Sequence, residues 1–179
     1  SLAESWTHSD DYAVWDFKIR EGITFHDGTP LTAEAVLYAL KMQLNDPTVG
    51  IAVRALFAAD DPETEAFEPA ELLDDMTIRY HAKRPHVDFP GNFTGQLGNV
   101  PSLAYMMAAT DDPSLNQAPV GTGPFMFDSR VQDSMTRFVR NPDYWGDTAY
   151  LDAVEFYIYT DGELAAGAMA AGDIDVMGT

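Results

Sequence analysis

The stretch FHDGTPLTAEAVLYAL, residues 25–40, decides how the chain is read. Asp27–Gly28 is a strong turn dipeptide, because glycine tolerates positive φ and the aspartate side chain bonds its own backbone. Thr32 then reads as a helix N-cap, with Glu34 favourably placed in the first turn. Ala33, Val36, Leu37, Leu40 and Leu44 form the apolar stripe of an amphipathic helix, which Asn45-Asp46-Pro47 ends. His26 and Asp27 are the residue types of a catalytic or metal site. Neighbours on an extended chain point to opposite faces, however, so they cannot serve one another. Set between a strand and a capped helix, the pair reads as scaffold whose side chains bond nearby backbone. Replacing His26 by alanine is therefore expected to affect folding more than binding, by roughly 1–2 kcal/mol.

Upstream, Ala13, Trp15, Phe17 and Ile19 alternate with Val14, Asp16 and Lys18, the period-two pattern of a strand with one apolar face. Glu21–Gly22 turns the chain, and Ile23-Thr24-Phe25 is expected to return as a short second strand. Downstream, residues 53–59 read as a short helix, followed by the acidic loop DDPETEAFEP, residues 60–69, which lacks the ligand spacing of a calcium loop. Met76, Ile78, Tyr80 and Ala82 mark another half-buried strand. A glycine- and asparagine-rich loop, HVDFPGNFTGQLGNVP, residues 86–101, leads to a short apolar helix over residues 102–109. DDPSLNQAP, residues 111–119, is the best internal boundary. Beyond it come strands near Phe125, in SMTRFVRN and in VEFYIY, then an alanine-rich helix over residues 163–171 stopped by Gly172.

Composition narrows the function. The 179 residues suffice for one ordinary domain or two small lobes, and 46% of them are hydrophobic. The 29 acids against 10 bases give a formal charge of -19. That excludes the basic patch a nucleic-acid partner requires and argues against anionic lipid. With no cysteine there is no disulfide, thiol chemistry or thiolate metal site. No apolar run approaches the roughly 20 residues of a membrane span. The four histidines form neither HExxH nor HxH, so no metal site and no cofactor is expected. Gly121-Thr122-Gly123 lacks the remainder of a phosphate loop, and Pro124 follows it directly; it reads as a tight backbone crossing, with Gly123 expected at positive φ and intolerant of bulk. Nothing in the sequence demands an enzyme. It begins without an initiator Met and ends just after a helix, and is expected to be a piece of a larger protein.

The order of FKIREGITFHDGTPLTAEAVLYAL, MTIRYHAKRP, PVGTGPFMF and VRNPDYWGDTAYLDAVEFYIYTDGELAAGAMAAGDIDVM resembles the family 5 extracellular solute-binding proteins, the peptide, dipeptide and nickel-chelate receptors of ABC importers. The resemblance covers nearly the whole chain and is weakest over residues 47–70. It implies an α/β, type II periplasmic-binding-protein-like fold, here incomplete. Residues 1–112 would form most of a small extra lobe and residues 113–179 part of the main N-terminal lobe, with the opposing C-terminal lobe absent. It implies a receptor rather than a catalyst: extracytoplasmic, in the periplasm or as a cell-surface lipoprotein, binding an oligopeptide or similar small organic solute. The implied partners are ABC permease subunits, with no nucleic acid and no membrane insertion by this segment.

Ligand contacts are placed by position within the resembling family. The loop over residues 92–99 offers Asn92, Phe93, Thr94, Gln96 and Asn99, and no Arg where nickel-type relatives have one. Arg54 and Phe57 fall where some relatives present an aromatic wall, and Gly121, Thr122 and Gly123 fall near the lobe crossing. A sensory or chaperone-like relative handing ligand to another membrane partner is the alternative, and a hydrolase with its catalytic residues elsewhere the remote one. Trp15, Phe17, Phe125, Phe156 and Ile158 are expected in the core. The chain alone is expected to fold, to self-associate and to show no measurable affinity for peptides.

Overall fold

The computed structural model describes residues 1–48, 50–57 and 69–178. The acidic loop up to residue 68, and residues 58–59 at the end of the expected 53–59 helix, lie outside the described residues. The chain divides into two compact units, Ser1–Gly123 and Pro124–Thr179.

In the first unit, β1 (Ala3–His8), β2 (Val14–Ile19), β3 (Ala70–Asp74) and β4 (Thr77–His81) form an antiparallel sheet of order β1-β2-β4-β3. The period-two reading of β2 and β4 holds: Trp15, Phe17 and Ile19 are buried beside Ile78 and Tyr80, with Trp15 paired to Tyr80 and Phe17 to Ile78. The opposite face is polar, and Arg79 makes a two-pronged pair with Asp16 at 2.7 and 2.8 Å. Helix α1 (Ala33–Asn45) packs against β3 and β4 through Ala33, Ala35, Ala39, Leu40 and Leu44. Its N-cap is Thr32, whose hydroxyl accepts from the Ala35 amide at 3.3 Å. Helix α2 is shorter and earlier than expected, Gly50–Arg54. Helix α3 runs Leu103–Asp111, and the stretch Phe89–Thr94 is a 3-10 helix. Phe89 is fully buried at the centre of an aromatic cluster, within 6 Å (ring centroid to centroid) of Trp15, Phe57, Tyr80 and Phe93.

Two expectations fail here. Ile23-Thr24-Phe25 is no hairpin strand, because β4 occupies the place beside β2. The segment instead folds on itself, with Phe25 N–H donating to Thr29 O at 2.8 Å and Leu31 N–H to Ile23 O at 2.9 Å, and it buries Ile23 and Phe25. Gly123 is not at positive φ; the glycines that are include Gly22, Gly28 and Gly172. A Cβ added at Gly121 would meet only the His26 ring, at 3.9 Å. The conformational ground for intolerance of bulk at 121–123 is therefore gone.

In the second unit, β5 (Phe125–Val131), β6 (Met135–Arg140) and β7 (Ala153–Tyr157) form an antiparallel sheet in that order. Phe127, Phe138 and Phe156 make a T-shaped ladder across one face, with centroids 6.1 and 5.9 Å apart. On the other face Arg137 lies between Asp128 and Glu155, at 4.0 and 3.4 Å. Arg140 pairs with Asp152 and donates to Ala149 O at 3.1 Å, closing the loop that contains the RNPDYW motif. Helix α4 (Gly162–Ala171) ends on Gly172 at φ 83, the left-handed cap its sequence foretells. Phe125 is half-buried, whereas Phe156 and Ile158 are 60% and 53% exposed, so neither is core. The reason is geometric: α4 buries only Ala165 among its described side chains, and three strands alone cannot close over an aromatic face.

Candidate functional site

The His26–Thr29 turn shows what its side chains are for. Gly28 sits at φ 81, as the turn requires, and Asp27 Oδ1 accepts from the Thr29 amide at 2.9 Å and the Thr29 hydroxyl at 2.6 Å. Its other oxygen accepts from the hydroxyl of Ser102, the N-cap of α3. Burial acts to raise the Asp27 pKa, but the hydrogen bonds from Ser102 and Thr29 outweigh it and hold the carboxyl below the ordinary aspartate range. His26 spans the 121–123 segment: one ring nitrogen, Nε2, lies 3.0 Å from Gly123 O, and the other, Nδ1, accepts from the Gly121 amide at 3.3 Å. Both ring nitrogens are thus committed to backbone. This is scaffold, as the sequence reading has it.

The loop and helix residues converge elsewhere. A cavity of about 280 Å³ is lined by Gln43, Thr48, Ala52, Val53, Leu56, Asn92 and Leu97. It lies between the end of α1, α2 and the two 3-10 turns Phe89–Thr94 and Gln96–Gly98. Asn92 Nδ2 donates to Phe89 O at 2.9 Å, which tethers the amide to the buried ring's own backbone while it faces the cavity. Asn99 is exposed, and its carbonyl accepts from Gln43 Nε2 at 3.3 Å, so α1 and the loop are stitched directly. Thr94 is exposed and donates to Gly91 O at 2.8 Å. For Gln96 the backbone lies in the second 3-10 turn, and its side chain is outside the described residues.

Three of the expected contact residues instead pack or hydrogen-bond within the first unit. Phe57 is fully buried between Tyr80 and Phe89, at centroid distances of 5.9 and 5.7 Å, and leaves no face for a ligand. Arg54 turns its guanidinium to Leu44 O, where a cation satisfies a carbonyl at the C-terminus of α1. Phe93 packs on Phe17 and Tyr80 at 5.2 and 5.0 Å. Gly121, Thr122 and Gly123 are grouped at the His26 turn, with Thr122 buried. Sequence reasoning missed Gln43, Thr48, Ala52, Val53, Leu56 and Leu97. Their only sequence signal was a mainly apolar composition, with one amide and one hydroxyl, shared with ordinary helix and loop residues. Among the described residues no group of three or more His, Asp or Glu side chains converges to hold a metal, and no helix is long and apolar enough to cross a membrane.

The α/β architecture, with its four-stranded sheet capped by α1, is that of solved binding proteins. The ABC transporter-associated periplasmic binding protein DppA from Helicobacter pylori, in complex with the peptide STSA, matches at a TM-score of 0.79 and 27% identity, over 97% of this chain and 36% of that one. The profile of the bacterial extracellular solute-binding proteins, family 5 (middle), matches residues 1–179, and the chain belongs to that family. It is 29% identical over 173 residues to di/tripeptide-binding protein 2 of Pseudomonas aeruginosa, covering 90% of this chain and 32% of that protein. It is 27% identical to the nickel-binding periplasmic protein of Escherichia coli, over 98% of this chain and 32% of that protein. The chain therefore spans about a third of the length of the curated relatives it matches.

Proposed function

We propose that the chain is part of the substrate-binding component of an ABC importer, which captures an oligopeptide or similar small organic solute between two lobes. The ligand is delivered to membrane permease subunits, on the extracytoplasmic side. The carrying observation is the family match over residues 1–179, together with relatives that bind di- and tripeptides by name. In this reading residues 1–112 belong to a small extra lobe and residues 113–179 to the main N-terminal lobe, with residues 113–123 falling in the first compact unit. The 92–99 loop and the cavity beside it form one wall of the binding cleft.

Physical chemistry favours this use of the cavity. Ligand pockets combine apolar lining with a few placed polar groups, and Val53, Leu56 and Leu97 beside Asn92, Gln43 and Thr48 have that character. Its volume, about 280 Å³, suits a single side chain rather than a whole peptide, consistent with a single wall. No catalytic step belongs to the reading. Ser102 is fully buried against Asp27, and the His26 beside it directs both nitrogens at backbone, so the turn arms no nucleophile. Native mass spectrometry of the full-length gene product, purified without denaturation, tests the proposal. A co-purifying solute in the mass range of a short peptide supports it; turnover of added peptides without stable binding would overturn it.

A further inference from the structure

The polar contacts around residues 26–29 close into a ring. The turn reaches the 121–123 segment through the His26 amide, which donates to Gly121 O at 2.8 Å, and through both nitrogens of the imidazole. It reaches the start of α3 through Asp27 and Thr29, whose oxygens lie against the Ser102 hydroxyl. The ring is completed by the Ser102 amide, which donates to Val120 O at 2.9 Å. Two segments that lie some 75 and 95 positions from the turn, and 18 from each other, are thus tied to the turn and to one another.

The partners also settle the state of the imidazole. Gly123 O can only accept, so Nε2 must carry the proton; the Gly121 amide can only donate, so Nδ1 must be bare. Ser102 is 0% exposed, so its hydroxyl has no water to fall back on if Asp27 lets go. Hydrogen bonds that share members in this way strengthen or fail together.

We propose that His26, Asp27 and Ser102 form a conformational lock: one turn, with His26 held in the Nε2–H tautomer, keeps the N-terminus of α3 and the 120–123 segment as a single cooperative unit. Asp27 and His26 act in it as positioning residues, and neither is offered as a ligand contact. Loosening one arm of the ring loosens the other, although Ser102 and His26 share no direct hydrogen bond among those the structure shows.

Nuclear magnetic resonance on the unaltered chain gives the first test. The His26 ring-nitrogen shifts are expected to be protonated-type at Nε2 and unprotonated-type at Nδ1; the reverse pair, or an averaged one, overturns the lock. Amide hydrogen exchange gives the second. Ser102→Ala is expected to speed exchange at the far arm, at the His26 and Gly121 amides, by about tenfold, and Ser102→Thr to restore protection. Acceleration confined to the Tyr105 and Thr29 amides would reduce the ring to independent local bonds and refute the proposal. The tautomer measurement needs no variant, so a poorly folding Ser102→Ala leaves the proposal open to refutation.

Discussion

Truncating Phe89 to alanine should cost the first unit more than any other single substitution in its aromatic cluster. The ring is fully buried, with Trp15, Phe57, Tyr80 and Phe93 at centroid distances of 5.9, 5.7, 5.9 and 5.6 Å. These neighbours come from β2, β4, the segment after α2 and the 3-10 turn, so the hole cannot close by moving one element. Poorly collapsing phenylalanine sites lose about 3–5 kcal/mol on truncation to alanine. For a unit of 123 residues, about 4 °C of melting temperature accompanies each kcal/mol, which predicts a fall of about 12–20 °C. Near-UV circular dichroism follows it, because Trp15 stacks on the ring. Phe89→Leu keeps most of the volume and should lose under about 1.5 kcal/mol, or about 6 °C. A Phe89→Ala melt within a few degrees of the unaltered chain would show that the cluster is not the core.

Further outcomes follow from single observations. The lowered pKa of Asp27 means that its contribution to stability is complete above the ordinary aspartate range and drains as pH falls through the lowered folded value. The stability gap between the unaltered chain and Asp27→Asn, followed by denaturant melts across pH, should accordingly be widest near neutrality and narrow in acid; a gap that grows in acid contradicts the hydrogen-bond assignment. Gly172→Ala should destabilise the end of α4 by about 1 kcal/mol, purely through its φ of 83, because an added Cβ meets nothing within 4 Å. Gly121→Ala should be nearly silent in the same melts, and a loss above about 1 kcal/mol would show a steric demand that the 3.9 Å clearance does not. Replacing Arg79 by lysine should forfeit the two-pronged contact with Asp16 yet cost under about 1 kcal/mol, with the difference shrinking in high salt, since the pair is part-exposed.

The central strands were legible because burial writes a period of two into sequence, as Trp15, Phe17 and Ile19 show. Edge strands carry no such mark. In β1 only Ala3 is even half-buried and backbone pairing to β2 holds the strand, whereas in β3 Leu72 and Leu73 are exposed, and pairing to β4 with the buried Ala70 under α1 holds it. The caps at Thr32 and Gly172 were legible because few residue types can satisfy a helix end. Phe57 and Arg54 could not be resolved in advance. A phenylalanine beyond a short helix looks the same in sequence whether it faces a ligand or Phe89, and an arginine near a helix end looks the same whether it is free or bonded to Leu44 O. The cavity was hidden for a related reason: it forms from residues 43–56 and 92–97, which only the fold brings together.

In the proposed function this chain supplies one wall of a solute-binding cleft. Calorimetric titration of the full-length gene product with a di- and tripeptide library, repeated on Asn92→Ala, probes that wall. Saturable one-to-one binding is expected, weakened about tenfold or more by the substitution, with a fall in melting temperature of no more than about 6 °C from the lost bond to Phe89 O. Tight peptide binding that is indifferent to Asn92, or no binding of any peptide or small organic solute, would contradict this reading.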